Sequence, residues 1–254
     1  MPDQHKKFGL IGYPLGHSYS KGHFTRKFVH EGLSGYSYEN YEIASIGSII
    51  DIIKKDPDLV GLNVTIPYKQ AVMGYLDEID TIAAEIGAVN TIKITHSGEQ
   101  VLLNGYNTDI IGFTKSINRW QLEKPVKALV FGSGGSSLAI KYALKNLGIS
   151  FISVSRKSEA GFIPYQELTE KVAKEYRLWI NCTPVGMFPH SDETLPLPYQ
   201  HLSPEHYLYD LVYNPDITLF LSKGVSCGAH IMNGMAMLYE QAESSWEIWT
   251  GEKV

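Results

Sequence analysis

Residues 126–157 limit what this chain can fold into more than any other stretch: VKALVFGSGGSSLAIKYALKNLGISFISVSRK. The β-branched, apolar run 126–131 has the pattern of a strand buried on both faces. A turn follows at Gly132, Gly134 and Gly135, and a helix is predicted from about 136 to 147. Leu138, Ala139, Tyr142, Ala143 and Leu147 recur along it at three- and four-residue spacing. Gly148 closes it as a C-terminal cap, and residues 151–155 read as a second buried strand. This is a βαβ unit with glycines at its first strand-to-helix turn.

That arrangement suits pyrophosphate. Glycines let the backbone approach a phosphate, and a helix N-terminus offers unpaired N–H groups and partial positive charge. The turn is G-S-G-G-S-S, so Ser137 stands where the third glycine of G-x-G-x-x-G would be. Gly132, Ser133, Gly134, Gly135 and Ser136 are therefore candidate cofactor contacts. The end of the second strand bears on which dinucleotide binds. NAD sites place an acid there for the ribose hydroxyl, whereas an Arg accommodates the NADP 2′-phosphate. Here the strand ends in Ser155, Arg156 and Lys157, with no carboxylate before Glu159. A hydroxyl and two cations favour NADP, an ordinary basic loop being the alternative.

At 254 residues, 44% hydrophobic and 19% charged, the chain can form two modest domains with true cores. A net charge of −5 gives no reason to expect nucleic acid or an anionic membrane as partner. Cys182 and Cys227 are too few for a disulfide framework and lack metal-ligand spacing, so no metal is expected. The N-terminal residues lack an apolar leader segment, and no apolar run reaches about 18 residues. The expectation is a soluble cytoplasmic protein with a small-molecule substrate.

In chain order, a strand at 8–11 runs into a Gly- and Pro-containing loop that carries Ser18 and Ser20 ahead of a helix at 21–31. Ligands of open α/β sheets collect at such strand ends; N-capping of the helix is the alternative for one of the serines. A strand at 36–43 and a helix at 48–55 follow. A strand at 59–65 carries Asn63 and Thr65, and Pro67 ends it, with Lys69 just beyond. A lone lysine is most often a solvated charge. Strands at 88–94 and 100–103 form a hairpin, and Asn90, inside the first, needs a partner if buried. Asp109 opens a helix at 110–120, where it suits the dipole. Further on come a helix at 165–175 and a strand at 178–181 whose loop holds Thr183. A strand at 207–212 leads to Tyr213, and a closing helix at 234–247 carries Met237 and Gln241. Five strand segments between 126 and 232 suffice for a doubly wound sheet.

Eight motifs in order carry a resemblance over nearly the whole chain. They are G-x-P-L-x-H-S-x-S (12–20), N-V-T-I-P-x-K (63–69), G-A-V-N-T (87–91), G-x-N-T-D (105–109), G-S-G-G (132–135), N-C-T-P-V-G-M (181–187), D-L-V-Y-N-P (210–215) and N-G-M-x-M-L-x-x-Q-A (233–242). The chain resembles shikimate dehydrogenases of the bacterial monofunctional type. The resemblance implies an α/β protein with an N-terminal substrate domain (1–105, joined by the C-terminal helix from about 234) and a Rossmann-type NADP domain (106–233), the active site lying in the cleft between them. It implies reversible NADPH-dependent reduction of 3-dehydroshikimate to shikimate, in a monomer or homodimer. It assigns Lys69 and Asp109 as the catalytic pair. Ser18 and Ser20 would hold the substrate carboxylate, and Asn63, Thr65, Asn90 and Gln241 its hydroxyls. Tyr213 would reach the substrate too, with Gly234 and Met237 at the nicotinamide. The alternatives are a quinate/shikimate dehydrogenase with broader substrate or NAD use, and a non-catalytic cofactor- or metabolite-binding relative. Two positions depart from the family pattern: Ser133 replaces the usual Ala, and Asn233 the usual Asp.

Overall fold

The computed structural model describes residues 5–16, 18–98, 100–123, 125–156 and 161–251. Two compact units form, Met1–Thr108 with Ala242–Val254, and Asp109–Gln241. The second boundary falls inside the last helix instead of before it.

In the first unit the chain runs through β1 (Lys6–Gly12), α1 (Ser20–His30), β2 (Tyr36–Glu42), α2 (Ile49–Lys55), β3 (Leu59–Val64), β4 (Glu78–Ile79), α3 (Thr81–Ile86), β5 (Thr91–Ser97) and β6 (Gln100–Tyr106). The sheet order is β2-β1-β3-β5-β6-β4. β1 is parallel to β2 and β3, whereas β5 is antiparallel to both β3 and β6. Because side chains alternate along a strand, β1 feeds two cores. Ile11 joins Ile49, Leu62, Val72 and Ile92 on one face. Phe8 and Leu10 join Phe24, Phe28, Tyr38, Trp246 and Trp249 on the other. The two tryptophans come from the last helix at helical spacing with Ala242, so its C-terminal half is a core element of this unit. Gly61 explains the break in the apolar run of β3: a Cβ there would lie 2.5 Å from Trp249 Nε1. That indole donates to Ile92 O at 2.9 Å.

In the second unit α4 (Asp109–Ile117) precedes β7 (Lys127–Phe131), α5 (Gly135–Asn146), β8 (Ser150–Ser155), β9 (Phe162–Pro164), α6 (Glu170–Glu175), β10 (Leu178–Asn181), β11 (Tyr207–Asp210), α7 (Leu219–Ser226), β12 (His230–Met232) and α8 (Met235–Thr250). All six strands are parallel, in the order β12-β11-β10-β7-β8-β9. Counted from β7 this is the doubly wound dinucleotide-binding order. β9 is a sixth strand that composition did not announce. The helix expected over 165–175 is broken as well. A short 3-10 turn precedes α6, and Thr169 starts the helix afresh by accepting from Val172 N.

Two sequence expectations shift. The buried face of α5 is centred on Ala139, Ile140, Ala143 and Leu144, with Leu138 and Tyr142 half-exposed. β5 begins at Thr91, so Asn90 lies just before the strand. Its backbone bridges two elements, with N–H to Tyr106 O and C=O from Val64 N. Among the described residues no helix is long and apolar enough to cross a membrane.

Candidate active site

In the first unit, strand direction gathers the candidates at one end of the sheet. β1 and β3 are parallel, so the loops after Gly12 and after Val64 leave at the same end. β5 runs the other way and pairs Thr91 with Asn63, which brings Asn90 to that end. β6 reverses again and pairs Tyr106 with Thr91, so Asn107 and Thr108 leave there too. Ser18, Ser20, Asn63, Thr65, Lys69 and Asn90 are thus clustered although 72 positions separate the first from the last.

The details are specific. Ser20 is the first residue of α1 and is buried, while Tyr19 occupies the N-cap without a side-chain cap bond. The capping alternative for the serines is therefore not what the structure holds. Ser18 is half-buried, its N–H on Leu15 O. Thr65 N donates to Ile11 O, tying its loop to β1, and Lys69 O accepts from Val89 N, tying the lysine's backbone to the segment that carries Asn90.

Asn63 and Asn90 are both buried. Asn63 Oδ1 accepts from Tyr38 Oη at 2.8 Å, and its Nδ2 donates to Ser245 Oγ at 2.9 Å. Asn90 Oδ1 accepts from Thr108 N at 2.7 Å, and its Nδ2 donates to Thr108 Oγ1 at 2.9 Å. The side-chain partners named here for the two amides are all neutral. Neutral amides and hydroxyls can read a polyol without the cost of burying charge.

Parallel strands do the same gathering in the second unit. Gly132, Arg156, Thr183, Tyr213 and Gly234 each follow the carboxyl end of a strand, on one edge of the sheet. Gly132 sits at φ +111°, and a Cβ there would come within 3.3 Å of the Cys182 carbonyl, so only glycine fits this turn. Gly134 is the N-cap of α5 in extended conformation, with no side-chain cap bond. The first amides of that 12-residue helix thus lie beyond a glycine turn, with Ser133 and Gly134 exposed and Gly135 and Ser136 half-buried. This cradle fits a dinucleotide pyrophosphate. Ser137 is buried and donates to Gly134 O at 2.7 Å, which satisfies its hydroxyl where the third glycine would be. Ser155 is half-buried and Arg156 exposed at the end of β8. Lys157 lies outside the described residues.

Residues that sequence reasoning did not single out organise the rest of this edge. Asp210, at the end of β11, is fully buried. Its Oδ2 accepts from Thr218 Oγ1 at 2.6 Å, and its Oδ1 from Asn181 Nδ2 at 2.9 Å and Val212 N at 3.0 Å. Asn181 Oδ1 in turn accepts from Thr183 N and Oγ1. One carboxylate thus ties the Thr183 loop to the turn leading to Tyr213. Burial pushes Asp210 up to about 7 against the pull of those donors, and burial also raises the neighbouring Cys182 thiol. Gly234 N donates to Val212 O. Met237 is buried in the core with Phe113 and Tyr209, and Gln241 is buried, its Nε2 on Leu238 O at 2.9 Å. Asp109 is buried in the first turn of α4. The motif D-L-V-Y-N-P contained the signal for Asp210, a carboxylate closing an apolar strand; its partners are too scattered to be read from sequence.

The sequence model of the shikimate dehydrogenase substrate binding domain matches residues 10–92. The shikimate dehydrogenase (NADP(+)) of Desulforamulus reducens is 33% identical, over 96% of this chain and 89% of that protein. Shikimate 5-dehydrogenase from Thermus thermophilus, solved in complex with NADP(H) and shikimate, superposes with a TM-score of 0.83 at 30% identity, covering 97% of this chain and 94% of that one. Quinate dehydrogenase from Corynebacterium glutamicum in complex with NAD reaches 0.84 at 25% identity, covering 98% of this chain and 94% of the other.

Proposed function

Because the chain belongs to the shikimate dehydrogenase family, we propose that it catalyses the reversible NADPH-dependent reduction of 3-dehydroshikimate to shikimate, in the cytoplasm. The observation that carries this reading is the 33% identity to a shikimate dehydrogenase (NADP(+)) across 96% of the chain. The neutral cluster at the end of the first sheet agrees with it. Shikimate is a small polyhydroxylated acid, and amides with hydroxyls are the groups that recognise such a molecule.

The hydride comes from NADPH when it is bound. Gly132, Ser133, Gly134, Gly135 and Ser136 would hold the pyrophosphate; Ser155, Arg156 and Lys157 the 2′-phosphate; Thr183, Gly234 and Met237 the remainder. Reduction of a ketone leaves charge on its oxygen, and the Lys69 ammonium would give that oxygen a proton. The family resemblance makes Asp109 the partner that would orient the ammonium and balance its charge. Ser18 and Ser20 would hold the carboxylate, Asn63, Thr65, Asn90 and Gln241 would read the ring hydroxyls, and Tyr213 would reach the substrate as well. In the oxidative direction Lys69 takes the hydroxyl proton as base.

The likeness to a quinate dehydrogenase bound to NAD supports a second reading, broader use of quinate or NAD. Initial rates of nicotinamide reduction with shikimate or quinate, each with NADP or NAD, separate the two. Rapid reduction with shikimate and NADP alone is the expected result. Comparable rates with quinate or NAD would favour the second reading. No reduction with any pair would leave a non-catalytic binding protein.

A further inference from the structure

The Asn63 amide, proposed to read the substrate, is held by two residues that no motif singled out, Tyr38 and Ser245. Asn63 Nδ2 also lies 3.4 Å from the backbone oxygen of Asn90, which can only accept. This fixes which end of the amide is nitrogen, so Asn63 Oδ1 must be an acceptor and Tyr38 its donor. Burial raises the Tyr38 phenol far above its ordinary range, which keeps it a donor at any working pH. Its one proton is directed at Asn63, so the phenolic oxygen accepts from Ser20, with which it is also hydrogen-bonded. The Tyr38 ring is held by stacking on Phe24, with centroids 4.6 Å apart and planes 10° from parallel.

On the nitrogen side Ser245 is fully buried. It accepts from Asn63 Nδ2 and is hydrogen-bonded to Thr91 Oγ1 at 2.8 Å and Thr108 Oγ1 at 3.2 Å, contacts in which either hydroxyl can donate. Thr91 and Thr108 both contact Asn90. The chain Tyr38–Asn63–Ser245–Thr108–Asn90 is therefore one connected run of hydrogen-bonded amides and hydroxyls, drawn from β2, β3, the C-terminal half of α8 and the segments on either side of the β5–β6 hairpin.

We propose that Tyr38 and Ser245 are positioning residues for substrate recognition: from opposite ends they lock the Asn63 amide, so that it meets a ring hydroxyl with its carbonyl oxygen in a fixed direction. Tyr38 uses one of the two lone pairs of that oxygen. Ser245 extends the same constraint to Asn90 through Thr108. The proposal rests on the reading of Asn63 and Asn90 as substrate contacts.

The test is a thermodynamic cycle on KM with Tyr38→Phe, which keeps the stacked ring, Ser245→Ala and Asn63→Ala. Loss of one buried hydrogen bond to the reading group should raise KM for shikimate about tenfold in each positioning variant. KM for NADP should stay as in the wild type. In the Asn63→Ala background either substitution should add no more than about a further twofold, because its target is gone. A merely structural role would lower thermal stability and leave KM for shikimate unchanged, and that result would overturn the proposal. So would full additivity in the Asn63→Ala background. If Asn63→Ala alone leaves KM for shikimate unchanged, the reading of Asn63 as a substrate contact fails, and the proposal with it. A raised KM in Asn63→Ala beside normal values in both positioning variants defeats the proposal alone.

Discussion

In the first unit the buried polar cluster around Asn63 is made of amides and hydroxyls. In the second, Asn181, Thr218 and Val212 N converge on the carboxylate of Asp210. Both clusters are saturated: among the described residues no buried side-chain nitrogen or oxygen lacks a hydrogen-bond partner. They differ in what holds them. A neutral network fixes direction with many weak bonds and responds little to pH. A buried carboxylate draws donors strongly and fixes backbone turns, at a desolvation cost that shows as a raised pKa. The neutral design suits the recognition of hydroxyls, and the charged one suits a cofactor edge where two loops must be tied together.

Charge therefore enters the first unit's site mainly where chemistry needs it. Lys69→Ala should reduce kcat by about a hundred- to ten-thousandfold, since it removes the proposed proton donor without touching either core. NADP affinity should remain, which titration of the variant with cofactor checks. Unchanged turnover would remove Lys69 from the mechanism.

The second cluster should break harder than the first when its centre is removed. Asp210→Ala leaves three buried donors without an acceptor and should cost about 3 kcal/mol in urea unfolding. Ser245→Ala should cost about 1 kcal/mol, because its neighbours are neutral and can re-pair among themselves. Equal losses would erase the contrast.

A smaller effect separates the units by pH. The folded Asp210 holds its proton up to about pH 7, well above the ordinary carboxylate value of 3.8. Its contribution to stability is fully present below that lower value and is lost as pH rises through about 7. Glu243 in the first unit has the opposite sign. Hydrogen bonding to His23, with further help from Lys27, holds it at about 2, so its contribution is present above the ordinary value and is lost as pH falls toward 2. Between about pH 4 and 7 the wild type should therefore lose stability relative to Asp210→Asn, measured as the shift in urea midpoint. A constant difference would show that Asp210 does not titrate in that range.

Asn233 offers the mildest trial. Its Oδ1 accepts from Met235 N at the start of α8, and its Nδ2 donates to Asp216. Asn233→Asp keeps the cap but sets two carboxylates together, so the change in stability should stay below about 1 kcal/mol.

These contacts also show what a sequence can disclose. The glycine turn was legible because Gly132 must adopt a conformation that other residues resist, and the helix after it announces its own period. The strands of the second sheet were legible as apolar runs, except β9, which has three residues and no pattern. The departure at Asn233 becomes intelligible only with Asp216 beside it. Tyr38 looked like an ordinary β-former and Ser245 like any helix serine. Their importance lies in a bond between Asn63 and Ser245, 182 positions apart, and no local periodicity encodes that.

The central claim is a division of labour: neutral amides of the first unit bind the substrate, and the glycine turn and Arg156 of the second bind the phosphorylated cofactor. Equilibrium titration of Asn63→Ala and Arg156→Ala with shikimate and with NADP tests it most directly. The account predicts that Asn63→Ala loses about tenfold or more in shikimate affinity and keeps NADP, while Arg156→Ala does the reverse. Parallel loss of both ligands in either variant would contradict it.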